Sequence, residues 1–166
     1  SITAHCVDEA RVYVDPPKVE DIKLGPGKRF TIDICVANVS DLSGYEFNMS
    51  YNASTLTCVG LEVGPEENFP IANWRIDNGI GNVWVNVTYD EPVTTDPAVT
   101  VASLTFLIHR RGTSALDLYY TNLIDSSGIP ISHEAFDGYF NNFSQYDLNK
   151  DGHVDIADVV IVVVAF

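Results

Sequence analysis

The sequence predicts an all-β fold, a nine-stranded jelly-roll or Ig-like β-sandwich that ends in a short polar loop and an apolar helix. Three observations carry this. Apolar and polar residues alternate with period two through most of residues 11–141. Turn signals rich in Gly, Pro, Asn and Asp interrupt that alternation at short intervals. No stretch between them keeps the 3.6-residue period of an amphipathic helix for more than a turn. Short strands spaced by turns in this way build two packed sheets.

The elements follow in order. RVYVD is a strand stopped by Pro16-Pro17, and LGPGKR is a turn. FTIDICVANV sets Phe30, Ile32, Ile34 and Val36 toward a core, with Thr31, Asp33, Cys35 and Ala37 on the opposite face. GYEFNMSY does the same with Tyr45, Phe47, Met49 and Tyr51, leaving Glu46, Asn48 and Ser50 wet. TLTCVGLEV, NWRID, NVWVNVTY, VTVASLTFLIH, SALDLYYTNL and FDGYF complete the nine, separated by DNGIGN, DEPVTTDP, RRGTS and DSSGIP. The composition turns polar at NNFSQ. The chain therefore divides into an N-terminal segment 1–10, a sandwich 11–141 and a C-terminal repeat 142–166.

The 166 residues suffice for one domain of ordinary size and a small appendage. An apolar content of 46% supports a packed body and excludes a disordered chain. With 9 basic against 23 acidic residues the net charge is -14, which argues against nucleic acid and anionic membranes as partners and suits carboxylates that face cations. No apolar run approaches the roughly 18 residues of a membrane span. The opening Ser1 fits a mature exported protein. Five N-x-[ST] sequons, at Asn38, Asn48, Asn52, Asn86 and Asn142, agree and predict N-linked glycans on an extracellular, cell-surface chain. Export would permit one disulfide among Cys6, Cys35 and Cys58, and the sequence leaves the pair open.

The sharpest chemistry lies in YDLNKDGHVDIADVVIVVVAF. Numbered from Asp147, a calcium loop places Asp147, Asn149, Asp151, Asp155 and Asp158 at positions 1, 3, 5, 9 and 12. Gly152 falls at the sharp bend of position 6, and His153 at position 7 offers its backbone carbonyl. Calcium takes about six to eight oxygen ligands, and alternate positions of a tight loop aim their oxygens at one centre. Position 12 carries Asp where an EF-hand has Glu.

This stretch resembles one of the two calcium-binding repeats of a dockerin module, in which Asp at position 12 is usual and an apolar helix follows. The preceding body is similar to a cohesin domain. The similarity lies in VYVDPPKVE…LGPGKRFTIDICVANVSDLSGYEFNMSYNASTLTCVGLEV, in VASLTFLI and in FDGYF. It implies a nine-stranded jelly roll without catalytic activity, as in bacterial cellulosome scaffolds and archaeal surface proteins. A dockerin packs two such loops together and one lies in this sequence, which fits either a half-dockerin whose apolar run needs a partner or a longer chain that continues into a second loop. Val159, Val160, Ile161, Val162, Val163, Val164 and Phe166 are accordingly the predicted partner contacts. The run's β-branched composition suits a strand, but its place after a calcium loop favours a helix.

Together these features predict a non-catalytic extracellular assembly protein that associates through its C-terminal repeat in a calcium-dependent way. Its partner would be other copies of the chain, joined head to tail in a glycosylated filament, or a protein bearing a dockerin or cohesin. Two alternatives are a cohesin-type receptor for dockerin-bearing proteins and a carbohydrate-binding module that uses Trp74 and Trp84. Catalysis is disfavoured. His5, His109, His133 and His153 form no metal-ligand spacing, and no nucleophile motif or phosphate loop occurs.

Overall fold

The structure, a computed structural model, describes residues 8–65 and 70–164. In chain order the strands are β1 (Arg11–Asp15), β2 (Lys18–Glu20), β3 (Arg29–Ala37), β4 (Leu42–Ser50), β5 (Leu56–Val63) and β6 (Ile71–Asp77). They continue as β7 (Asn82–Val93), β8 (Ala98–Ile108), β9 (Thr113–Ile124), β10 (Glu134–Phe136) and β11 (Gly138–Asn141), and a single helix α1 (Ile156–Val164) follows. One sheet has the order β10-β1-β3-β8-β5 and the other β2-β11-β9-β4-β7-β6. No described helix is long and apolar enough to cross a membrane.

Period-two patterning explains the packing. Tyr45, Phe47 and Met49 of β4 are buried, as are Val83, Val85 and Val87 of β7 beside it. Across the interior, Ile32 and Ile34 of β3 and Leu104, Phe106 and Ile108 of β8 supply the opposing layer. Phe106 stacks on Phe30 and meets Tyr51 edge to face, so one ring joins both sheets. The buried tyrosines must also satisfy their hydroxyls. Tyr45 donates to the Val101 carbonyl of the facing sheet at 2.5 Å, and Tyr89 to that of Gly64 at 2.7 Å.

The number and limits of the strands differ from the sequence expectation. Among the described residues eleven strands form, because β2 and β10 are three-residue pieces that exist only by pairing in parallel with β11 and β1. FDGYF is two strands. Asp137 leaves the ladder to accept the Leu118 N–H at 2.8 Å, and a Cβ at Gly138 would lie 2.6 Å from Val14 Cγ1. In β3 the expected wet face is buried at its end, with Cys35 at 6% and Ala37 at 0% exposure. A register irregularity between Ile34 and Cys35 disturbs the alternation there, and Cys35 lies against Thr100 of β8 at 3.7 Å with Tyr13 of β1 paired opposite it. Cys35 and Cys58 are free, buried thiols, and Cys6 lies outside the described residues. Burial pushes the Cys58 thiol up to about 11, offset in part by backbone hydrogen bonding at Gly60.

Two outcomes follow from this core. Phe106→Ala is expected to lower the unfolding free energy by about 3–5 kcal/mol in urea titrations, since ring contacts to both sheets are lost. Burial also raises the hydroxyl of Tyr51 to about 12, and shifts Tyr45 and Tyr89 upward. An unfolded tyrosine ionises near 10.0, so above that pH the unfolded state holds fewer protons than the folded one. Stability is therefore intact below about pH 10 and declines through about pH 10–12. Ultraviolet titration should show these tyrosinates appearing only as the fold is lost.

Candidate functional site

The loop 147–158 is knitted by its own side chains. Asp147 and Asp158, positions 1 and 12, are each only 3% exposed. Asp147 Oδ1 accepts the N–H of Asp151 at 3.2 Å and Oδ2 that of Gly152 at 2.9 Å. Asp158 Oδ1 accepts from Leu148 and Asn149 at 2.7 and 3.1 Å. Asn149 and Asp151 each cap the N–H two residues on, at 3.0 and 2.9 Å. Gly152 takes φ +92°, which a side chain would oppose.

The start of α1 uses the same carboxylates. Asp155 accepts the Ala157 N–H at 2.8 Å, and Asp158 reaches back to the Asp155 N–H at 2.9 Å, forming a reciprocal capping box. Hydrogen bonds from the N–H groups of Asp155, Asn149 and Leu148 hold the Asp158 carboxyl below the usual carboxylate range, against desolvation that raises it. Among the described residues no three His, Cys, Asp or Glu groups converge as a preformed metal centre would. The carboxylates are turned onto backbone N–H groups instead.

The donor set nonetheless fits a hard cation. Each accepting oxygen retains a second lone pair. The oxygens of Asp147, Asn149, Asp151 and Asp155 and the His153 carbonyl occupy the alternating positions calcium uses, with Asp158 closing the loop. Four aspartates against Lys150 leave this short stretch strongly anionic. The ion pair among the described residues is elsewhere, between Arg75 and Asp77.

Next to the loop, α1 begins with exposed apolar groups. Ile156 is 77% exposed, and Val159 and Val160 are more than half exposed. With Tyr146, Leu148 and Val154, also exposed, they make an apolar surface beside the acidic loop. The backbone is helical through Val164, as the position after the loop suggested. Side chains of Ile161, Val162, Val163 and Val164, and all of Phe166, lie outside the described residues.

The loop is seated on the end of the sandwich. Asn142 is fully buried, its Oδ1 accepting the Gly112 N–H and its Nδ2 donating to the Leu24 carbonyl, both at 2.8 Å. Arg111, in the RRGTS turn between β8 and β9, donates from Nη1 to the carbonyls of Ile22 and Asn142, also at 2.8 Å. Its side chain lies flat against Gly152, where a Cβ would sit 2.4 Å from Arg111 Cδ. Hydrogen-bonding demand at the sandwich end, invisible in a linear motif, singles these residues out.

A second surface is the outer face of β6, β7, β4 and β9. Register places Asn73, Asn86, Glu46 and Asn122 in one row across the four strands, and Arg75, Trp84, Asn48 and Tyr120 in the next. Trp84 does point outward, and its indole N–H is fixed on Glu46 Oε1 at 2.7 Å. Trp74 lies on the other side of β6 and is half exposed at that open edge. His109 and His133 are occupied by Thr57 and Thr121, and His5 lies outside the described residues.

The sequons fall in unequal settings. Asn52 is exposed, while Asn38, Asn48 and Asn86 are half-buried. Asn142 departs from the expectation of a glycan acceptor, because its amide is enclosed and doubly hydrogen-bonded.

No family model and no curated protein sequence matches the chain. Solved structures do. A non-cellulosomal cohesin from the hyperthermophilic archaeon Archaeoglobus fulgidus is 13% identical with a TM-score of 0.68, over 85% of this chain and 96% of that one. A type I cohesin from Clostridium thermocellum, solved in complex with a dockerin, is 17% identical with a TM-score of 0.65, over 84% and 97%. A type II cohesin domain from the cellulosome of Acetivibrio cellulolyticus is 19% identical with a TM-score of 0.63, over 80% and 94%. The likeness establishes the fold, a cohesin-like β-sandwich.

For the chain expressed in a glycosylating host, peptide mapping by mass spectrometry should find Asn142 unmodified in the folded fraction. Any glycans should be confined to the other sequons, with Asn52 the most accessible.

Proposed function

We propose that this chain is a non-catalytic extracellular protein-association module, in which a cohesin-like sandwich binds a protein partner and a calcium-ordered C-terminal repeat presents a second contact. The observation that carries this reading is the placement of the apolar surface of α1 directly on the acidic loop 147–158. Calcium held by Asp147, Asn149, Asp151, the His153 carbonyl, Asp155 and Asp158 would neutralise the carboxylates and fix the register of α1. An exposed apolar surface rimmed by polar groups marks an interaction site.

For the sandwich, the outer face of β6, β7, β4 and β9 is the partner surface. Its planar polar and aromatic groups, Trp84 and Tyr120 among them, suit a protein interface. Several of the similar cohesins were solved in complexes with dockerins, which supports a dockerin-type repeat as the occupant. A chain that carries both a cohesin-like face and a dockerin-like repeat can join head to tail, and a heterologous contact that does not close grows into a filament. Glycans at exposed sequons would face solvent in such an assembly.

Light scattering during size-exclusion chromatography tests the reading. In calcium the mass should rise with protein concentration, and a chelator should return it to the monomer. An Asp147→Ala, Asp158→Ala double variant should remain monomeric in calcium, and Trp84→Ala should weaken association while retaining calcium. A chelator-insensitive monomer, or assembly unaffected by the aspartate variant, would overturn the reading.

A further inference from the structure

The C-terminal loop touches the sandwich at a narrow point. Among the described residues helix α1 makes no extensive contact with any strand, and a cleft of about 630 Å³ opens between Glu20, Asp21 and Tyr139 on one side and Asp147, Leu148 and Lys150 on the other. The contact that spans the gap is Arg111. It grips the carbonyls of Ile22 in the β2–β3 connection and Asn142 at the end of β11, while its aliphatic stem covers Gly152. The Gly152 N–H is itself bonded to Asp147 Oδ2, the first ligand position of the loop. One side chain therefore lies a single hydrogen bond from the proposed calcium ligands and also holds the sandwich end.

We infer that Arg111 is a latch that couples cation occupancy of the loop 147–158 to the stability of the sandwich. The inference rests on the calcium reading above and adds a residue and a direction of coupling to it. The physical reasons are threefold. A guanidinium forks to two carbonyl acceptors in a fixed plane, which a lysine does not reproduce. Position 6 must be Gly to admit the guanidinium stem as well as to bend the loop, because a Cβ would be 2.4 Å from Cδ and 2.6 Å from Nε. Asn142, enclosed beneath the latch, ties Gly112 and Leu24 together, so the β2–β3 connection, the β8–β9 turn and the end of β11 form one hydrogen-bonded unit to which Arg111 fastens Gly152. A loop ordered by calcium holds Gly152 against Arg111. A loop without it loosens that contact and with it the sandwich end.

Trp74 and Trp84 are the chain's two tryptophans, and both lie in the sandwich, on β6 and β7. Tryptophan fluorescence therefore reports sandwich unfolding separately from events in the loop. Calcium binding is measured by calorimetry, and fluorescence-detected unfolding is followed with calcium and with chelator. In the parent chain, calcium at about a hundred times its Kd should raise the folded-to-unfolded ratio of the sandwich about 100-fold. Arg111→Ala, at the same calcium concentration, should lose most of that gain, and because coupling is reciprocal its calcium Kd should rise by a matching factor. Arg111→Lys, which keeps the charge, should lose most of the gain as well.

The outcomes separate cleanly. A parent chain that binds no calcium in calorimetry overturns the calcium reading and the latch with it. A parent chain that binds calcium without a shift in sandwich stability overturns the latch alone, as does an Arg111→Ala variant that retains the full gain. Should Arg111→Ala fail to fold, hydrogen exchange on the parent chain decides. The Gly112 amide, bonded to Asn142, should exchange more slowly in calcium, and unchanged exchange there overturns the latch.

Discussion

Everything in this molecule depends on closing two twisted sheets over an interior that contains tyrosine as well as aliphatic side chains. Apolar burial drives the closure, but a buried hydroxyl without a partner would undo part of that gain. Tyr45 solves this by donating across the interior to the Val101 carbonyl, so a residue of β4 is bonded to the backbone of β8 in the opposite sheet. Tyr89 does the same from β7 toward Gly64, just past β5. These bonds fix how the sheets face each other as well as how closely they pack. The flat outer face and the sandwich end that receives the C-terminal loop inherit that alignment.

The loop obeys a similar rule at smaller scale. Carboxylates that lie beside one another repel, and the loop offsets this by turning each onto backbone N–H groups. Asp158 joins the two ends of the segment, accepting from Leu148 and Asn149 on one side and from Asp155 on the other. The capping of α1 and the closure of the loop are thus one event. A helix whose first turn is organised by an aspartate of the loop takes its orientation from that residue, which is how an acidic turn comes to aim an apolar surface.

Legibility in the sequence tracked how local each signal was. The alternation of β4 named Tyr45, Phe47 and Met49 correctly, because a strand buried on one face writes its period into the chain. The end of β3 did not, since Cys35 and Ala37 are covered by neighbours that only the sheet order reveals. β2 and β10 carry no period at all over three residues and owe their existence to β11 and β1. The ordered spacing of Asp147, Asn149, Asp151, Gly152 and Asp158 was legible as a motif, and the structure adds the hydrogen bonds that accompany it. Asn142 matched a surface pattern yet is an interior scaffold, and Arg111 had no pattern to match. Both are set by unpaired backbone groups on segments far apart in sequence, a demand that no local window contains.

The unequal lengths of the outermost strands give the sandwich two different flanks. β10 and β2, three residues each, end their sheets on the flank where β1 lies near β9 and β11, whereas β5 and β6, at eight and seven residues, end them on the other. A three-residue rim offers too few free amides to template a neighbour, while a seven- or eight-residue rim offers enough. Lateral pairing through backbone is therefore one-sided. The fold thus confines lateral backbone pairing to the flank of β5 and β6, and the brevity of β2 and β10 limits uncontrolled cross-β stacking on the other.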